Sequence, residues 1–197
     1  MRVLTVVSHP RTTSLTCQIA QRLVDGLRDG GNDTDVLDLY RSGFDPVLRE
    51  ADEPHWSERE QAFSVAVERE MARLRGYEAL AFVFPVWWWS LPAMLKGYVD
   101  RVWNYGFAYG HGALQHRRVL WLGLAGSGQE KFVQWGFDRE MAHYFDAGLA
   151  RYCGIGDSRT EILYETTKAA KHGAAIGPAH LAGLMRKAYD LGLRFAE

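Results

Sequence analysis

The chain has 197 residues, of which 47% are apolar and 13% aromatic, enough core material for one domain. Its formal net charge is −1 and its Lys and Arg residues are scattered, which disfavours binding to nucleic acid or to an anionic membrane. We therefore expect residues 1–197 to form a single domain that binds a small molecule.

The cysteines and the apolar segments indicate the compartment. Cys17 and Cys153 lie far apart and outside any C-x-x-C motif, so neither a metal site nor a disulfide framework is predicted. The apolar run at the N-terminus is too short for a secretory signal, and no segment approaches the ~20 apolar residues of a membrane span. These features predict a cytoplasmic protein without an integral membrane segment.

Strand and helix patterns alternate from the start of the chain. Residues 3–7 form a β-branched run typical of a buried strand. An apolar stripe from Leu15 to Leu27 predicts an amphipathic helix that closes at Gly30-Gly31. A weaker second strand covers residues 34–39.

A polar stretch separates this second strand from the next helix. Residues 41–55, which include the acidic run at 50–53, predict a long solvated loop. Ser57 and Glu60 have the spacing of a capping box, which predicts that the second helix begins there.

The second half of the chain repeats the alternation. Residues 79–84 are continuously apolar, as expected of a central strand buried on both faces, and residues 91–102 have the clearest helical periodicity. Asp100 and Arg101 on this helix are expected to be surface charges. The remaining predicted elements are a strand at 119–125, an aromatic-rich helix to about residue 152, a strand at 158–164 and a helix from Pro178.

This alternation predicts an α/β fold, a three-layer sandwich in which helices cover both faces of a five-stranded parallel sheet. The strands fit the order 2-1-3-4-5. In such sheets the ligand lies beyond the C-terminal strand ends, near the switch point between strands one and three. The loops after strands one, three and four are therefore the predicted ligand site.

The first of these loops, from Ser8 to Thr16, is rich in hydroxyl groups and leads into a helix N-terminus, which suits a phosphate group. Ser14 and Thr16 would add donors and Arg11 a charge. The loop matches neither G-x-G-x-x-G nor the P-loop pattern, which disfavours a Rossmann dinucleotide site and an NTPase. As simpler alternatives, its hydroxyl groups only cap the helix, and His9 only hydrogen-bonds to nearby backbone.

The second loop carries three consecutive tryptophans, Trp87, Trp88 and Trp89. Their side chains cannot all face the core, so at least one ring faces the open side, where it could flank a planar heterocycle or form a dimer interface. The third loop, residues 125–128, reads Ala-Gly-Ser-Gly, which allows its backbone to approach a ligand closely, although this pattern is also common in ordinary turns.

The segment from Phe84 to Trp103, continuing to Tyr109, resembles the signature segment of the NAD(P)H:quinone oxidoreductases of the flavodoxin-like superfamily. This branch includes the bacterial quinone dehydrogenases and the modulator of drug activity. The first and third loops resemble that family's other two flavin loops. The resemblance implies a flavodoxin-like fold and a homodimer that passes hydride from NAD(P)H through FMN or FAD to a quinone; the short chain favours FMN.

The resemblance also implies residue roles. Phe107, Tyr109 and His111 would line the acceptor pocket across the homodimer interface. Tyr109 or His111 would protonate the reduced quinone, although a solvated loop histidine is the simpler alternative for His111. The flavin would be held by His9, Arg11, Thr13, Ser14, Leu15 and Thr16 near its phosphate, by Pro85, Val86, Trp87, Trp88 and Trp89 along its ring, and by Ala125 and Gly126 at its pyrimidine edge.

The sequence departs from this family in one respect. Relatives carry a Tyr and a His shortly after the third loop, whereas residues 131–137 here read Lys-Phe-Val-Gln-Trp-Gly-Phe. Catalysis is therefore expected to depend on ring stacking and backbone donors. Two other functions stay open: an electron-transfer flavodoxin, which the near-neutral charge disfavours, and a flavin-binding regulatory subunit of a membrane transporter.

Overall fold

The computed structural model describes residues 1–167 and 176–197. Five parallel strands form one sheet in the order β2-β1-β3-β4-β5, with helices on both faces, which confirms the predicted architecture and strand order. The strands are β1 (Arg2–Val7), β2 (Asp33–Asp38), β3 (Ala79–Pro85), β4 (Arg118–Leu124) and β5 (Asp157–Leu163). The helices are α1 (Leu15–Asp29), α2 (Val65–Arg75), α3 (Ala93–Val102), α4 (Gln129–Trp135), α5 (Phe137–Ala142) and α6 (Pro178–Leu193).

The two faces of the sheet carry side chains of different size. On β3, Leu80, Phe82 and Phe84 pack into the core beneath α2 and α3. The alternate residues of β3, two alanines and a valine, pack into the core beneath α1 and α6. Alternate side chains of a strand point to opposite faces, so β3 is buried on both sides, as its continuous apolar run predicts.

Helices α1 and α6 touch through their backbones. A Cβ atom on Gly26 would lie 2.0 Å from the carbonyl oxygen of Tyr189, and one on Gly192 would lie 2.2 Å from that of Leu23. Only glycine allows this approach. The C-terminal helix is thereby packed directly on the helix that follows the first loop.

Two predicted helix boundaries are wrong. Helix α2 begins after Ser64, whose side chain accepts a hydrogen bond from the Val67 N–H group, and not at Ser57. The predicted aromatic-rich helix is interrupted at Gly136, which has a φ of 78°, and it continues as α5 and a π-helical segment, His143–Arg151. A left-handed residue cannot continue a right-handed helix, so Gly136 ends α4.

Glu50 and Glu53 of the acidic run are exposed as predicted, but the prediction of solvated charges is wrong for Asp52 and Arg101. Asp52 is fully buried and Arg101 is 3% exposed, and their side chains approach to 2.6 Å. The Asp52 carboxylate also accepts from the Ser64 N–H group at 2.7 Å, and Asn104 donates to the Asp52 carbonyl at 2.8 Å. This network attaches the long loop before α2 to both α2 and α3. Asp100 is exposed as predicted.

Within residues 1–167 and 176–197, no helix combines the length and apolar character needed to cross a membrane. The same residues contain no group of three His, Cys, Asp or Glu side chains placed to hold a metal ion.

Candidate functional site

The first loop presents free backbone donors at the C-terminal edge of the sheet. Ser14 caps α1, because its Oγ accepts from the Cys17 N–H group at 3.2 Å. The N–H groups of Thr13, Leu15 and Thr16 have no acceptor in the described part of the chain, as is usual at a helix start. The helix cap that sequence suggested as a simpler function is present, and donors for an anion remain beside it.

Arg41, which no sequence pattern singles out, holds this loop in place. Its guanidinium donates to the backbone oxygens of His9 and Pro10, the latter at 2.8 Å, and to Asp38 at 2.9 Å. His9 Nδ1 accepts from the Arg11 N–H group at 3.0 Å, the contact expected in its simpler interpretation. Burial, reinforced by the charges of Arg11 and Arg41, lowers the pKa of His9, which favours the neutral form of the ring.

The second loop is a tight turn that exposes tryptophan rings. Trp87 and Ser90 exchange backbone hydrogen bonds at its ends, at 3.1 and 3.3 Å. Between them, Trp88 and Trp89 have φ values of 53° and 56°. Positive φ at both central residues is the pattern of a type I′ turn, where Asn and Gly usually stand. Holding two bulky residues in this region costs on the order of 1–3 kcal/mol each, and such strain concentrates at functional sites.

The tryptophan turn contacts both neighbouring segments. The Trp87 ring lies 6.4 Å from the His9 ring, which brings the first and second loops side by side. The Trp89 ring stacks on Phe137 at 4.4 Å. Phe137 belongs to residues 131–137, the segment that lacks the Tyr/His pair of the relatives. An aromatic ring of this segment therefore packs against the tryptophan turn.

A cleft of about 870 Å³ opens between the second and third loops. Val86, Trp88, Trp89, Ala125 and Gly126 line it, which brings together five of the predicted cofactor-binding residues. The predicted phosphate-binding residues lie outside the cleft and adjoin it through the His9–Trp87 contact, and Pro85 is buried at the end of β3.

The third loop offers different donors from those expected. The Ala125 N–H group donates to the Leu163 carbonyl at 2.7 Å and is not available to a ligand. The N–H groups of Gly126, Ser127 and Gly128 have no acceptor among residues 1–167 and 176–197. Gly126 and its two successors therefore supply the free donors of this loop.

Other cleft residues come from β5 and α6 and were missed by the sequence patterns. Tyr164 follows β5, and His180 Nε2 lies 3.3 Å from the Tyr164 carbonyl oxygen. Lys187 forms an ion pair with Glu161 at 2.8 Å. Burial raises the pKa of Tyr164, and the carboxylates of Asp138 and Glu161 act in the same direction. No local motif links these residues, because β5 and α6 are separate elements and α6 reaches the cleft by packing on α1 and on the sheet.

The predicted acceptor residues lie near the N-terminal ends of the strands, whereas the cleft lies at the C-terminal ends. Helix α3 leads from the C-terminal end of β3 towards the N-terminal end of β4, and the segment between α3 and β4 carries Phe107, Tyr109 and His111. Phe107 and His111 line a second cavity of about 470 Å³, where the Arg75 guanidinium lies 4.9 Å above the Phe107 ring.

Tyr109 packs beside this cavity within a group of aromatic rings. Its ring lies 5.9 Å from that of Tyr105 and 5.8 Å from that of Tyr152. Burial, with nearby Tyr152 acting in the same direction, raises the pKa of Tyr109. Within one protomer, the three predicted acceptor residues do not meet the loops around the large cleft.

The sequence matches known proteins along most of its length. A sequence model of a family described by its flavodoxin-like fold matches residues 1–187. YcaK, an uncharacterised NAD(P)H oxidoreductase of Escherichia coli K12, is 40% identical over 166 residues, which cover 84% of each chain. Rat NAD(P)H dehydrogenase (quinone) 1 is 26% identical over 187 residues, which cover 83% of this chain and 68% of its own.

Solved structures show the same architecture. The NAD(P)H:quinone oxidoreductase from Methanothermobacter marburgensis superposes with a TM-score of 0.89 at 25% identity, over 100% of this chain and 98% of that one. An FMN-dependent NADH-azoreductase from Bacillus anthracis, solved in complex with FMN, shares the fold with a TM-score of 0.74 at 16% identity, over 100% of both chains.

Proposed function

The chain belongs to the family with the flavodoxin-like fold, and on that premise we propose that it is a flavin-dependent NAD(P)H oxidoreductase that reduces quinones or similar electrophilic acceptors by two electrons. The 40% identity to an NAD(P)H oxidoreductase and the likeness to quinone oxidoreductases support this activity. We propose FMN as the cofactor. We also propose a reducing cytoplasm as the compartment, because both cysteines are free.

The observation that carries the proposal is one cleft with two complementary walls. On one side, the strained turn exposes Trp88, 87% accessible, and Trp89, 41% accessible. On the other side, Gly126 and its neighbours present N–H groups that have no acceptor in the part of the chain the structure describes. A flat ring with polar atoms along one edge fits between aromatic faces and backbone donors.

When bound, the flavin supplies the ring position that takes hydride from NAD(P)H and gives it to the acceptor. The tryptophan turn would border that ring and exclude water from one side. The N–H groups of Gly126 and Gly128 would donate to its pyrimidine edge and favour negative charge there. The N–H groups of Thr13, Leu15 and Thr16 would hold the phosphate, with Arg11 adding a positive charge.

The acceptor pocket is completed by a second protomer in this proposal. Phe107, Tyr109 and His111 lie at the sheet edge opposite the cleft, so a homodimer is needed to bring them to a flavin ring. His111 then protonates the acceptor oxygen, since imidazole exchanges protons near neutral pH. Tyr109 borders the acceptor beside it.

The cofactor and the reaction can be tested on the purified protein. We expect a yellow protein whose absorbance spectrum is that of a flavin, and chromatography of the released cofactor is expected to give FMN. Oxidation of NADPH or NADH should then depend on added menadione. A protein that binds neither FMN nor FAD would overturn the proposal, and a flavin-loaded protein without menadione turnover would leave an electron carrier as its function.

The proton donor is tested by His111→Ala. General acid catalysis contributes roughly 10²–10⁴-fold, so menadione turnover is expected to fall by about 100-fold or more, with an altered pH profile. The reduction of the flavin by NADPH, followed by stopped flow, should not change. His143→Ala, which removes another exposed histidine, is the control. Unchanged turnover and pH profile in His111→Ala would contradict the assignment.

A further inference from the structure

The segment after β5 is hydrogen-bonded to the third loop. The Ala125 carbonyl accepts from the Thr166 N–H group at 3.0 Å and from the Thr166 hydroxyl at 2.9 Å. The Ser127 carbonyl accepts from the Glu165 N–H group at 3.1 Å. Three hydrogen bonds therefore hold two alternate carbonyls of the third loop against residues that directly follow β5.

These bonds determine where the free N–H groups of the third loop point. In a trans peptide unit the N–H bond is directed opposite to the preceding C=O bond, and the described part of the chain contains no cis peptide. With the Ala125 and Ser127 carbonyls turned towards the β5 side, the N–H groups of Gly126 and Gly128 point away from it. Because β4 lies between β3 and β5, that direction is the side of the tryptophan turn.

Side-chain packing reinforces this arrangement. A Cβ atom on Gly126 would lie 3.0 Å from both Oγ1 and Cγ2 of Thr167, and one on Gly128 would lie 3.4 Å from a carboxylate oxygen of Glu165. Glu165 itself has a φ of 56°, in the left-handed region that non-glycine residues seldom adopt. Such a conformation persists only where the surroundings determine it, and it concentrates at ligand sites.

We propose that Thr166 is a positioning residue for the cofactor: by holding the Ala125 carbonyl on the β5 side, its hydroxyl aims the Gly126 N–H group at the pyrimidine edge of the flavin. The inference rests on the proposed function. Thr166 does not touch the cofactor in this role. It acts by keeping the Ala125 carbonyl turned away from the place where negative charge develops. The Gly126 N–H group of the same peptide unit then points towards that place.

The test compares three threonine variants for FMN affinity, by fluorescence titration, and for the midpoint potential of bound FMN. Thr166→Val keeps the side-chain shape and removes the hydroxyl, and Thr166→Ser restores it. Thr160→Val is the matched control, because that hydroxyl lies on β5 and donates to Asp146 at 3.0 Å, outside the cleft lining.

We expect Thr166→Val to bind FMN three- to tenfold more weakly. We also expect its midpoint potential to fall by about 30 mV, which equals a tenfold greater loss of affinity for the two-electron-reduced cofactor. Thr166→Ser and Thr160→Val should stay within twofold of the parent in affinity and keep its potential. A merely structural role for Thr166 would alter folding stability and leave the potential unchanged.

The outcomes separate the two proposals. If the parent protein binds FMN and Thr166→Val matches it in affinity and potential, the positioning role is wrong and the proposed function stands. The role is also wrong if Thr160→Val lowers the potential as much as Thr166→Val does. If the parent protein binds no flavin, the proposed function and this inference fail together.

Discussion

Trp88 combines a backbone conformation suited to glycine with an almost fully exposed ring. A left-handed φ costs a non-glycine residue roughly 1–2 kcal/mol, whereas the added chain freedom of glycine in the unfolded state costs about 0.5–1 kcal/mol. We therefore expect Trp88→Gly to raise the free energy of unfolding of the flavin-free protein by up to about 1 kcal/mol, measured by urea denaturation, while weakening FMN binding.

Trp135→Gly is the control for this substitution. Trp135 is also exposed, at 63%, but it ends helix α4, where glycine costs about 1 kcal/mol relative to good helix formers. It should therefore lower the free energy of unfolding. If Trp88→Gly destabilises the protein as much as Trp135→Gly does, the turn is not strained at Trp88.

The buried pair of Asp52 and Arg101 supports a second prediction at this scale. Asp52→Asn removes the carboxylate nearest to the buried Arg101 guanidinium and leaves it only Asp45, at 4.0 Å; breaking a buried ion pair typically costs about 3–5 kcal/mol. Asp100→Asn removes an exposed carboxylate that pairs with Lys96 and should cost at most about 0.5 kcal/mol. Urea denaturation at pH 7 compares the two, and equal losses would contradict the buried pair.

The same carboxylate gives a pH dependence. Burial opposes the ionisation of Asp52, but the hydrogen bonds from Arg101 and Ser64 outweigh it, so the pKa of Asp52 lies below its ordinary value. A depressed pKa means that the stabilisation is complete above the unfolded pKa of about 3.9 and is lost as the pH falls through the folded value. The parent should lose more stability than Asp52→Asn between about pH 4 and pH 2; parallel curves would refute this.

Individual residues were predictable where the signal is local. The exposed tryptophans and the free donors before α1 follow from strand and helix ends, whereas the roles of Arg41 and Asp52 depend on partners far along the chain. Asp52 stands in an acidic run whose sequence suggests a solvated loop. It is buried because Arg101 of α3 and Ser64, which caps α2, both donate hydrogen bonds to its carboxylate in the folded chain.

At the scale of elements, the crossing of α1 and α6 depends on glycine. Gly26→Ala places a methyl group 2.0 Å from a backbone oxygen of α6, which neither helix can avoid without moving apart. Overpacking of this kind costs about 1–3 kcal/mol or more. We expect a loss in that range by urea denaturation.

Gly183→Ala is the matched control, since no atom of residues 1–167 or 176–197 lies within 4 Å of a Cβ atom at that position of α6. There alanine should stabilise the helix by roughly 0.5–1 kcal/mol. The two substitutions are chemically identical and should act with opposite sign. A gain at both positions would show that helix propensity, and not the close crossing, decides the outcome.

The elements themselves were largely predictable, because hydrophobic periodicity reports which face of a strand or helix is buried. Their boundaries were less so. The capping-box spacing pointed to Ser57, but Ser64 is the cap in the structure, where Asp52 accepts from its N–H and hydroxyl groups. Gly136 ends α4 in the left-handed conformation within a segment whose aromatic content had suggested one continuous helix.

At the scale of the whole molecule, the predicted flavin loops and the predicted acceptor residues lie at opposite edges of one sheet. A functional homodimer would bring them together, and sedimentation analysis is expected to show a dimer. Subunit mixing is the sharper test. Gly126→Val should lose FMN binding, because its added Cβ already meets Thr167 at 3.0 Å, and His111→Ala should lose acceptor protonation.

Each variant alone should be nearly inactive with menadione, whereas mixed dimers regain one complete site. Random exchange of subunits makes half of the dimers mixed, so about a quarter of the parent turnover should return. Exchange without recovered activity would place the acceptor residues in the same protomer as the flavin, or outside the site. The strand order was predictable from the hydrophobic pattern, whereas this relation between protomers was expected only from the family resemblance, since no local pattern encodes it.

The close contact between α1 and α6 also bears on synthesis. Helix α1 carries the first loop at its start, and α6, which lies about 150 residues later in the sequence, covers one flank of it. During translation the N-terminal elements emerge first, at about 5–20 residues per second, yet α1 acquires its final neighbour only when residues 178–193 have left the ribosome. Because His180, Leu184 and Lys187 line the cleft, the cofactor pocket is complete only once these residues have emerged and α6 has packed on α1.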